Sequence, residues 1–408
     1  MHETRRVPRL PPVYLLGPAF VAAIAYVDPG NVAANVSAGS QFGFLLLWVI
    51  VVANLMASLV QYLSAKLGLV TGLSLPEAVA QRARRSTRLA YWTQAELVAM
   101  ATDVAEVVGG AIALYLLFGL PLLWGGVITG AVSLALLAIQ NRRGQRAFER
   151  VIVGLLAVIA IGFLSSLFVD PPAASDVASG LVPRFDGAES VLLATAMLGA
   201  TVMPHAVYLH SGLTRDRHGR PEPGAPRRRL LQATRADVAV AMLLAGAVNI
   251  AMLLVAATHL QGRENTDSIE GAYYAVRDTL GAGVALLFAI GLLASGLAST
   301  SVGAYAGSMI MDGLLNVRIP LLTRRVVTLI PALVILGIGF DPSRALVLSQ
   351  VVLSFGIPFA LIPLVQLTND ATLMGEDANR RITTALGWLI AAVITVLNAV
   401  LIYLTVRG

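Results

Sequence analysis

A carboxylate and an amide flank a proline inside the first long apolar segment, in the motif Asp28-Pro29-Gly30-Asn31. Proline lacks an N–H and clashes with the carbonyl four residues earlier, so Pro29 should interrupt a helix and free the carbonyl of Ala25. Gly30 adds flexibility beside the break. Carboxylate, amide and carbonyl oxygens are hard ligands for divalent cations. The alternative is an ordinary proline kink that binds nothing.

A second interruption, Met203-Pro204-His205, lies within another apolar segment, where Pro204 frees the carbonyl of Ala200. The two motifs together offer a carboxylate, an amide, two carbonyls and one sulfur. Such a mixed set favours transition-metal ions over Mg²⁺ and Ca²⁺. Met203 could instead fill a gap in the core. His205 could pass a proton, since histidine titrates near ~6.5, or could simply be a neutral hydrogen-bonded side chain.

Three acids share one face of a third apolar segment. At about 100° per residue, Glu96 and Asp103 lie about 20° apart and Glu106 about 60° further round. Each carboxylate costs at least ~2.5 kcal/mol at the bilayer centre, so the face should point into protein and could relay protons. Alternatively, Glu96 lies near the membrane surface and Asp103 pairs with an arginine. Arg324 and Arg325 are candidate partners, or else basic anchors beside the membrane.

The segments that must position these side chains are membrane-spanning helices. The 408-residue chain is 57% hydrophobic and 13% charged, with a mean hydropathy of +0.78, whereas soluble domains are about 25% charged. Several uncharged blocks, such as 151–169, approach the ~20 residues that cross a bilayer as a helix. We predict an all-α polytopic membrane protein with about eleven spans, the eighth at 273–312.

The two interruptions lie five spans apart, which places them at matching positions of two inverted halves. We expect a cytoplasmic tail at 1–12, a first repeat at 13–169, an extracellular loop at 170–187, a second repeat at 188–368 and an extra span at 382–405. Interrupted helices at matching places of inverted halves are typical of a transporter's binding site near the bilayer midplane.

Charge distribution predicts the orientation. All but five of the 29 Lys and Arg fall in alternate loops, which by the positive-inside rule makes the N-terminus cytoplasmic and the C-terminus extracellular. The five exceptions are Arg184, Arg263, Arg277, Arg344 and Arg407. These short basic loops explain the net charge of +6 without a nucleic-acid partner. The chain has no cysteine and no nucleophile or nucleotide-binding motif, so we do not expect an enzyme.

The pairing of the two interrupted motifs resembles the Nramp family of proton-coupled divalent-metal transporters, and residues 94–103 resemble that family's third helix. The likeness extends over nearly the whole chain, and bacterial members are often called manganese transporters. It implies a LeuT-like fold with a five-plus-five inverted repeat and broken helices 1 and 6.

The resemblance also implies roles for individual residues. The implied metal ligands are Asp28, Asn31 and Met203, the carbonyls of Ala25 and Ala200, and Gln350, which approaches the metal in an occluded state. The positions tied to proton movement are Asp103, Glu106 and His205, with Arg324 and Arg325 as basic partners and Glu96 at the end of the same stripe. From the residues alone, Gln350 would form an ordinary interhelical hydrogen bond.

We therefore expect import of Mn²⁺, Fe²⁺ and similar ions with protons across the plasma membrane, with no resident cofactor and with the lipid bilayer as surroundings. A transporter of amino acids on the same fold is one alternative, although an anionic Asp28 would repel a substrate carboxylate. A magnesium channel is another, against which Met203 argues.

Overall fold

The computed structural model describes most of the chain, namely residues 17–143, 145–263, 268–317, 319 and 321–407. Within these ranges every regular element is a helix and no strand occurs. The predicted cytoplasmic tail, residues 1–12, lies outside the described residues.

Seventeen α-helices follow one another through the described residues. They are α1 Pro18–Ile24, α2 Pro29–Phe42, α3 Leu47–Thr71, α4 Leu75–Arg82, α5 Arg85–Phe118, α6 Leu122–Arg143, α7 Gln145–Val169, α8 Ala174–Gly180, α9 Gly187–Thr201, α10 Pro204–His218, α11 Ala225–His259, α12 Ile269–Leu280, α13 Ala282–Leu315, α14 Leu321–Gly337, α15 Pro342–Asn369, α16 Ala371–Met374 and α17 Arg381–Arg407.

Most of these helices can cross a membrane. Among the described residues, eight helical segments are long and apolar enough, namely α3, α5, α7, α9 with α10, α11, α13, α15 and most of α17. Shorter apolar helices cover Pro18–Val27 and Leu122–Leu136. The three other predicted spans correspond to α1 with α2, to α6 and to α14. The all-helical membrane fold is therefore confirmed.

The first predicted helix break separates α1 from α2. After Ile24 a single 3₁₀ turn covers Ala25–Val27, and Asp28 then has extended torsions, with φ −70° and ψ 167°. Asp28 caps α2 by accepting a hydrogen bond from the Asn31 N–H. Pro29 occupies the first helical position, where the missing N–H costs nothing. The helix stops and starts again here, which is more than a proline kink.

The second break separates α9 from α10 in the same way. α9 ends at Thr201, Met203 has extended torsions with φ −64° and ψ 119°, and Pro204 is the first residue of α10. Both predicted breaks, in the first and the sixth span, are thus confirmed.

Glycines let neighbouring helices press directly against the broken ones. A Cβ added at Gly109 of α5 would lie 2.0 Å from the Cβ of Pro29. One added at Gly199 of α9 would lie 2.0 Å from the carbonyl oxygen of Gln350, on α15. Small residues permit such close approach between membrane helices. α5 and α15 therefore adjoin the breaks and present their polar side chains there.

Two segments differ from the sequence-based boundaries. The predicted eighth span, 273–312, is two helices, because Gly281 adopts φ +95° between α12 and α13. α12 has a start signal of its own, since the Ser268 side chain accepts from the N–H of Gly271 at 3.0 Å. The predicted loop 170–187 contains the short helix α8.

Candidate functional site

The carboxylate of Asp28 lies fully buried at the first break. Its Oδ1 accepts from the backbone N–H of Asn31 at 2.8 Å and from the side-chain amide of Asn31 at 2.9 Å. Its Oδ2 lies 3.4 Å from Nε2 of Gln350. These donors are neutral amides, so an ionised Asp28 has no basic partner in any of these contacts.

The side-chain amide of Asn31 connects the two breaks. Its Nδ2 donates to Asp28 and also to the carbonyl of Ala200, at 2.9 Å each. Because both neighbours only accept, the amide nitrogen must face them and Oδ1 must face away. Oδ1 of Asn31 and Oε1 of Gln350 have no hydrogen-bond partner among the described residues. Buried acceptors without donors are costly, and a cation placed among them would satisfy them.

The two other predicted ligands also lie at the breaks. Met203 is fully buried immediately before Pro204, and Ala25 is buried at the start of the 3₁₀ turn. Asp28, Asn31, Ala200 and Gln350 are joined by hydrogen bonds. One carboxylate, two amides and the carbonyl of Ala200 are therefore brought together in one buried region, and Met203 and Ala25 are buried at the same two breaks.

Gly30 has a steric function that the sequence did not suggest. A Cβ at this position would lie only 1.7 Å from Nε2 of Gln350. Any larger residue would push the Gln350 side chain away from Asp28. The glycine therefore leaves room for the amide of α15, and flexibility is not needed to explain it.

Two carbonyls of the first break are held by side chains from other helices. The carbonyl of Tyr26 accepts from Nδ2 of Asn249 at 2.7 Å, and that of Val27 accepts from the hydroxyl of Ser295 at 2.5 Å. Asn249 is itself positioned by Asn35, whose Nδ2 donates to its Oδ1 at 2.9 Å. Asn249 is a polar residue in an otherwise apolar stretch of sequence, whereas Ser295 lies among other small residues and carries no such signal.

The acids of α5 meet the two arginines of α14. Arg325 donates to the carboxylate of Asp103 and to the hydroxyl of Ser133, the latter at 3.2 Å. Arg324 donates to Glu96 at 3.0 and 3.1 Å. The arginines are thus ion-pair partners of the stripe, including the Asp103–arginine pair that the alternative interpretation expected.

Glu106 and His205 are buried beside these pairs without ion-pair partners of their own in the described ranges. In the described residues, no hydrogen-bond partner is found for either carboxylate oxygen of Glu106 or for Nε2 of His205. Nδ1 of His205 lies 3.4 Å from the hydroxyl of Thr102. Asp103, Arg325 and Asp28 are all close enough to Glu106 to interact electrostatically with it. Titratable groups therefore extend from the first break along α5 towards Glu96, whose side chain is 19% exposed.

The sequence matches the family model described as "Natural resistance-associated macrophage protein-like" over residues 19–404, nearly the whole chain. The chain belongs to the Nramp family. A curated relative from Mycobacterium tuberculosis (strain H37Rv), named divalent metal cation transporter MntH, is 71% identical over 395 residues, which are 97% of this chain and 92% of the relative.

Solved structures agree with this membership. A manganese transporter of Eremococcus coleocola, solved in complex with an aromatic bis-isothiourea substituted compound, has a TM-score of 0.86 and 33% identity, covering 97% of this chain and 88% of that one. The nucleobase-cation-symport-1 family transporter Mhp1, in a closed conformation, has a TM-score of 0.61 at 16% identity, over 95% and 90% of the chains. This second likeness concerns the fold alone and fits the predicted LeuT-like architecture.

In this Nramp chain a cavity of about 480 Å³ approaches the site from one end of the bundle. It is lined by residues of α2, α9 and α15, among them Ser37 and Val347, which lie six and three residues from Asn31 and Gln350. At 1.5 Å per residue its floor is within about 10 Å of the site. Near its rim, burial and the neighbouring Asp341 carboxylate raise the pKa of Glu270.

The opposite side of the site is closed by buried polar contacts. Gln61 hydrogen-bonds to the hydroxyl of Tyr26, and its Oε1 lies 2.6 Å from Nδ1 of His210. The carboxylate of Asp237 accepts from the backbone N–H groups of Gly17 and Ala19, at 3.1 to 3.3 Å, and so caps α1. Access in this conformation is therefore from the end where α2 terminates and α9 begins.

No group of three or more His, Asp or Glu that could hold a metal occurs in the described part of this Nramp chain. The candidate site has a different composition, because only Asp28 contributes a formal charge and the other groups are neutral. A site of this kind can bind a cation and also release it, as a transporter requires.

Proposed function

We propose that this chain carries divalent transition-metal ions across the cell membrane together with protons, by alternating access to one central site. The main support is the arrangement around Asn31, whose side-chain amide joins the two helix breaks. Oδ1 of Asn31 and Oε1 of Gln350, which lack hydrogen-bond donors among the described residues, belong to the side chains that contact the buried carboxylate of Asp28. The divalent metal cation and manganese transporters among its relatives support the same class of cargo.

Metal binding requires the Asn31 amide to turn. In the present arrangement its nitrogen occupies the space between Asp28 and Ala200. An arriving cation takes over both acceptors, and rotation of the amide presents Oδ1 to the ion. Met203 supplies the sulfur, while the Ala25 carbonyl and the Gln350 side chain complete the shell in some states.

Protons use the titratable groups of α5 in this proposal. Glu106 receives the proton that leaves the Asp28 region on metal binding, and Asp103 and His205 lie next to it. The ion pairs of Arg325 with Asp103 and of Arg324 with Glu96 continue the path to the far end of α5. Metal and proton then follow different routes from a shared starting point.

The chain is oriented in the plasma membrane with its N-terminus in the cytoplasm and its C-terminus outside. The distribution of basic residues supports this orientation. The cavity lined by Ser37 and Val347 then faces the exterior, and Asp237 closes the cytoplasmic side. Metal arriving from outside reaches Asp28 first.

Flux into proteoliposomes tests the proposal. Uptake of Mn²⁺, Fe²⁺, Co²⁺, Cd²⁺, Mg²⁺ and Ca²⁺ is measured with and without an inwardly directed proton gradient. We expect the transition ions to enter and the gradient to accelerate them. Equal uptake with and without the gradient would contradict coupling of metal transport to protons. Uptake of Mg²⁺ in preference to Mn²⁺ would favour the magnesium alternative.

A further inference from the structure

One face of α13 runs along the acid stripe of α5 and is built from small residues. Gly296, Thr300, Gly303 and Gly307 follow one another at intervals of four, three and four residues, so they share one side of the helix, and all are buried. A Cβ added at Gly296 would lie 3.0 Å from the backbone nitrogen of Gly110 on α5. This glycine therefore lets two backbones approach, which is the ordinary use of small residues between membrane helices.

Gly307 has a different neighbour, because the guanidinium of Arg324 occupies the place where a side chain would begin. A Cβ at Gly307 would lie 2.0 Å from Nη2 and 2.2 Å from both Cζ and Nη1 of Arg324. Nη2 donates to the carboxylate of Glu96 at 3.0 and 3.1 Å, and Nη1 donates to the carbonyl of Ala304 at 3.4 Å. Arg324 therefore crosses α13 over Gly307 to reach Glu96.

Gly303, one turn earlier, faces the carboxylate of Glu106. A Cβ added here would lie 3.0 Å from Oε1 and 3.2 Å from Oε2, so the carboxylate would have to move by a few tenths of an ångström. Glu106 is fully buried, and neither oxygen has a hydrogen-bond partner among the described residues. The missing side chain at Gly303 is therefore what allows the carboxylate its present position.

Thr300 continues the same face, because its hydroxyl accepts a hydrogen bond from Arg325, the partner of Asp103. The face thus meets Arg325, Glu106 and Arg324 in succession. Helix packing alone does not account for the two lower glycines. The atoms that exclude a Cβ there are the ends of ionisable side chains, whereas at Gly296 they belong to a backbone.

We propose that Gly303 and Gly307 are positioning residues for proton transfer. Gly307 provides the space in which Arg324 holds Glu96, and Gly303 sets the position of the Glu106 carboxylate against α13. The assignment rests on the proposed use of the α5 acids for protons. No proposed metal ligand is among the atoms nearest to a Cβ added at either glycine. Substitutions here therefore affect proton movement and leave metal binding intact.

Parallel measurement of Mn²⁺ uptake and proton entry in proteoliposomes tests the proposal. For Gly307→Ala we expect Mn²⁺-stimulated proton entry to fall about tenfold, a part of the ~10²–10⁴-fold contribution of a positioned proton-transfer group. Calorimetry should give the parent's Mn²⁺ affinity. Gly303→Ala should shift the pH of half-maximal uptake, again at the parent's affinity. Gly283→Ala, on the same helix at a glycine with nothing within 4 Å, is the control and should match the parent throughout.

Thermal unfolding in detergent shows whether each variant is folded. Arg324→Ala removes the guanidinium that Gly307 accommodates, so adding Gly307→Ala to it should cause no further loss of stability or of proton entry. Gly303→Ala demands only a small movement and keeps the proposal testable if Gly307→Ala alone does not fold.

Three results would overturn the proposal. They are parent-level proton entry through folded Gly307→Ala, a further loss of proton entry when Gly307→Ala is added to Arg324→Ala, and a pH profile of Gly303→Ala identical to the parent's. Absence of Mn²⁺-stimulated proton entry in the parent would contradict the proposed function itself, and this assignment with it.

Discussion

The side-chain amide of Asn31 donates to the backbone carbonyl of Ala200 at 2.9 Å and thereby joins two helix breaks that are 169 residues apart in sequence. The same nitrogen donates to Asp28. A metal ion that binds Asp28 and Ala200 must displace this nitrogen. At the proposed site, metal binding and the relative position of the two breaks would therefore depend on each other, which is a requirement for alternating access.

Gly30→Ala should weaken metal binding while the protein still folds. The new Cβ would lie 1.7 Å from Nε2 of Gln350, and the end of that flexible side chain can move away. Since the displaced amide no longer reaches the site, adding Gln350→Ala to Gly30→Ala should cause no further loss. Calorimetry measures the Mn²⁺ affinity of both variants. Gly154→Ala, at a glycine with nothing within 4 Å, is the control, and fully additive losses would contradict the steric role.

Ser295→Ala should destabilise the first break. The hydroxyl of Ser295 is the side-chain donor to the Val27 carbonyl, and leaving a buried acceptor unpaired costs about 1–3 kcal/mol. Thermal unfolding in detergent measures the loss. Ser301→Ala removes a hydroxyl of the same helix that bonds only one turn back, to Leu297, and should change stability much less. Equal losses in the two variants would exclude the proposed role.

The sequence predicted the features that depend on local chemistry. Pro29 and Pro204 each lack an N–H and clash with the carbonyl four residues earlier, so both breaks could be located. The acid stripe of α5 had to face protein, and Arg324 and Arg325 were possible partners. Which arginine pairs with which acid depends on how far along α5 the helix α14 packs, and no local sequence pattern encodes that position.

Long-range contacts were the features that could not be predicted. Ser295 belongs to a helix rich in small residues, and its partner Val27 is 268 residues away. Gly30 was interpreted as flexible because its neighbour Gln350 belongs to another half of the chain. The eighth span was drawn too long because α12 leads directly into the apolar helix α13, and only the torsion of Gly281 separates the two.

Asp103→Asn should weaken the coupling of metal uptake to protons and leave metal binding largely intact. Asp103 contacts Arg325 and not the Asn31 amide. Loss of the carboxylate leaves a buried arginine uncompensated, which costs about 3–5 kcal/mol, so a double variant with Arg325→Gln provides a stable comparison. Coupling should be lost in both. Collapse of Mn²⁺ affinity with coupling preserved would mean that the two sites are assigned the wrong way round.

Met203→Ala should alter selectivity more than total transport. A thioether favours soft ions and gives hard ions almost nothing, and its removal leaves space for a water oxygen that Ca²⁺ or Mg²⁺ can use. Cd²⁺ uptake should fall most and Mn²⁺ uptake least, while excess Ca²⁺ or Mg²⁺ should compete better than in the parent. Unchanged discrimination against Ca²⁺ and Mg²⁺ would make Met203 a packing residue.

Mn²⁺ flux through Asp28→Ala protein tests the central claim most directly. Asp28 is the only charged group among the proposed ligands, and without it a divalent ion would meet only neutral oxygens and one sulfur inside the membrane, where an uncompensated charge is costly. The variant is reconstituted into proteoliposomes after its thermal unfolding has shown that it is folded. We predict that uptake of every divalent metal falls to the level of protein-free vesicles. Robust Mn²⁺ uptake by the folded variant would contradict the assignment of the metal site to the two helix breaks.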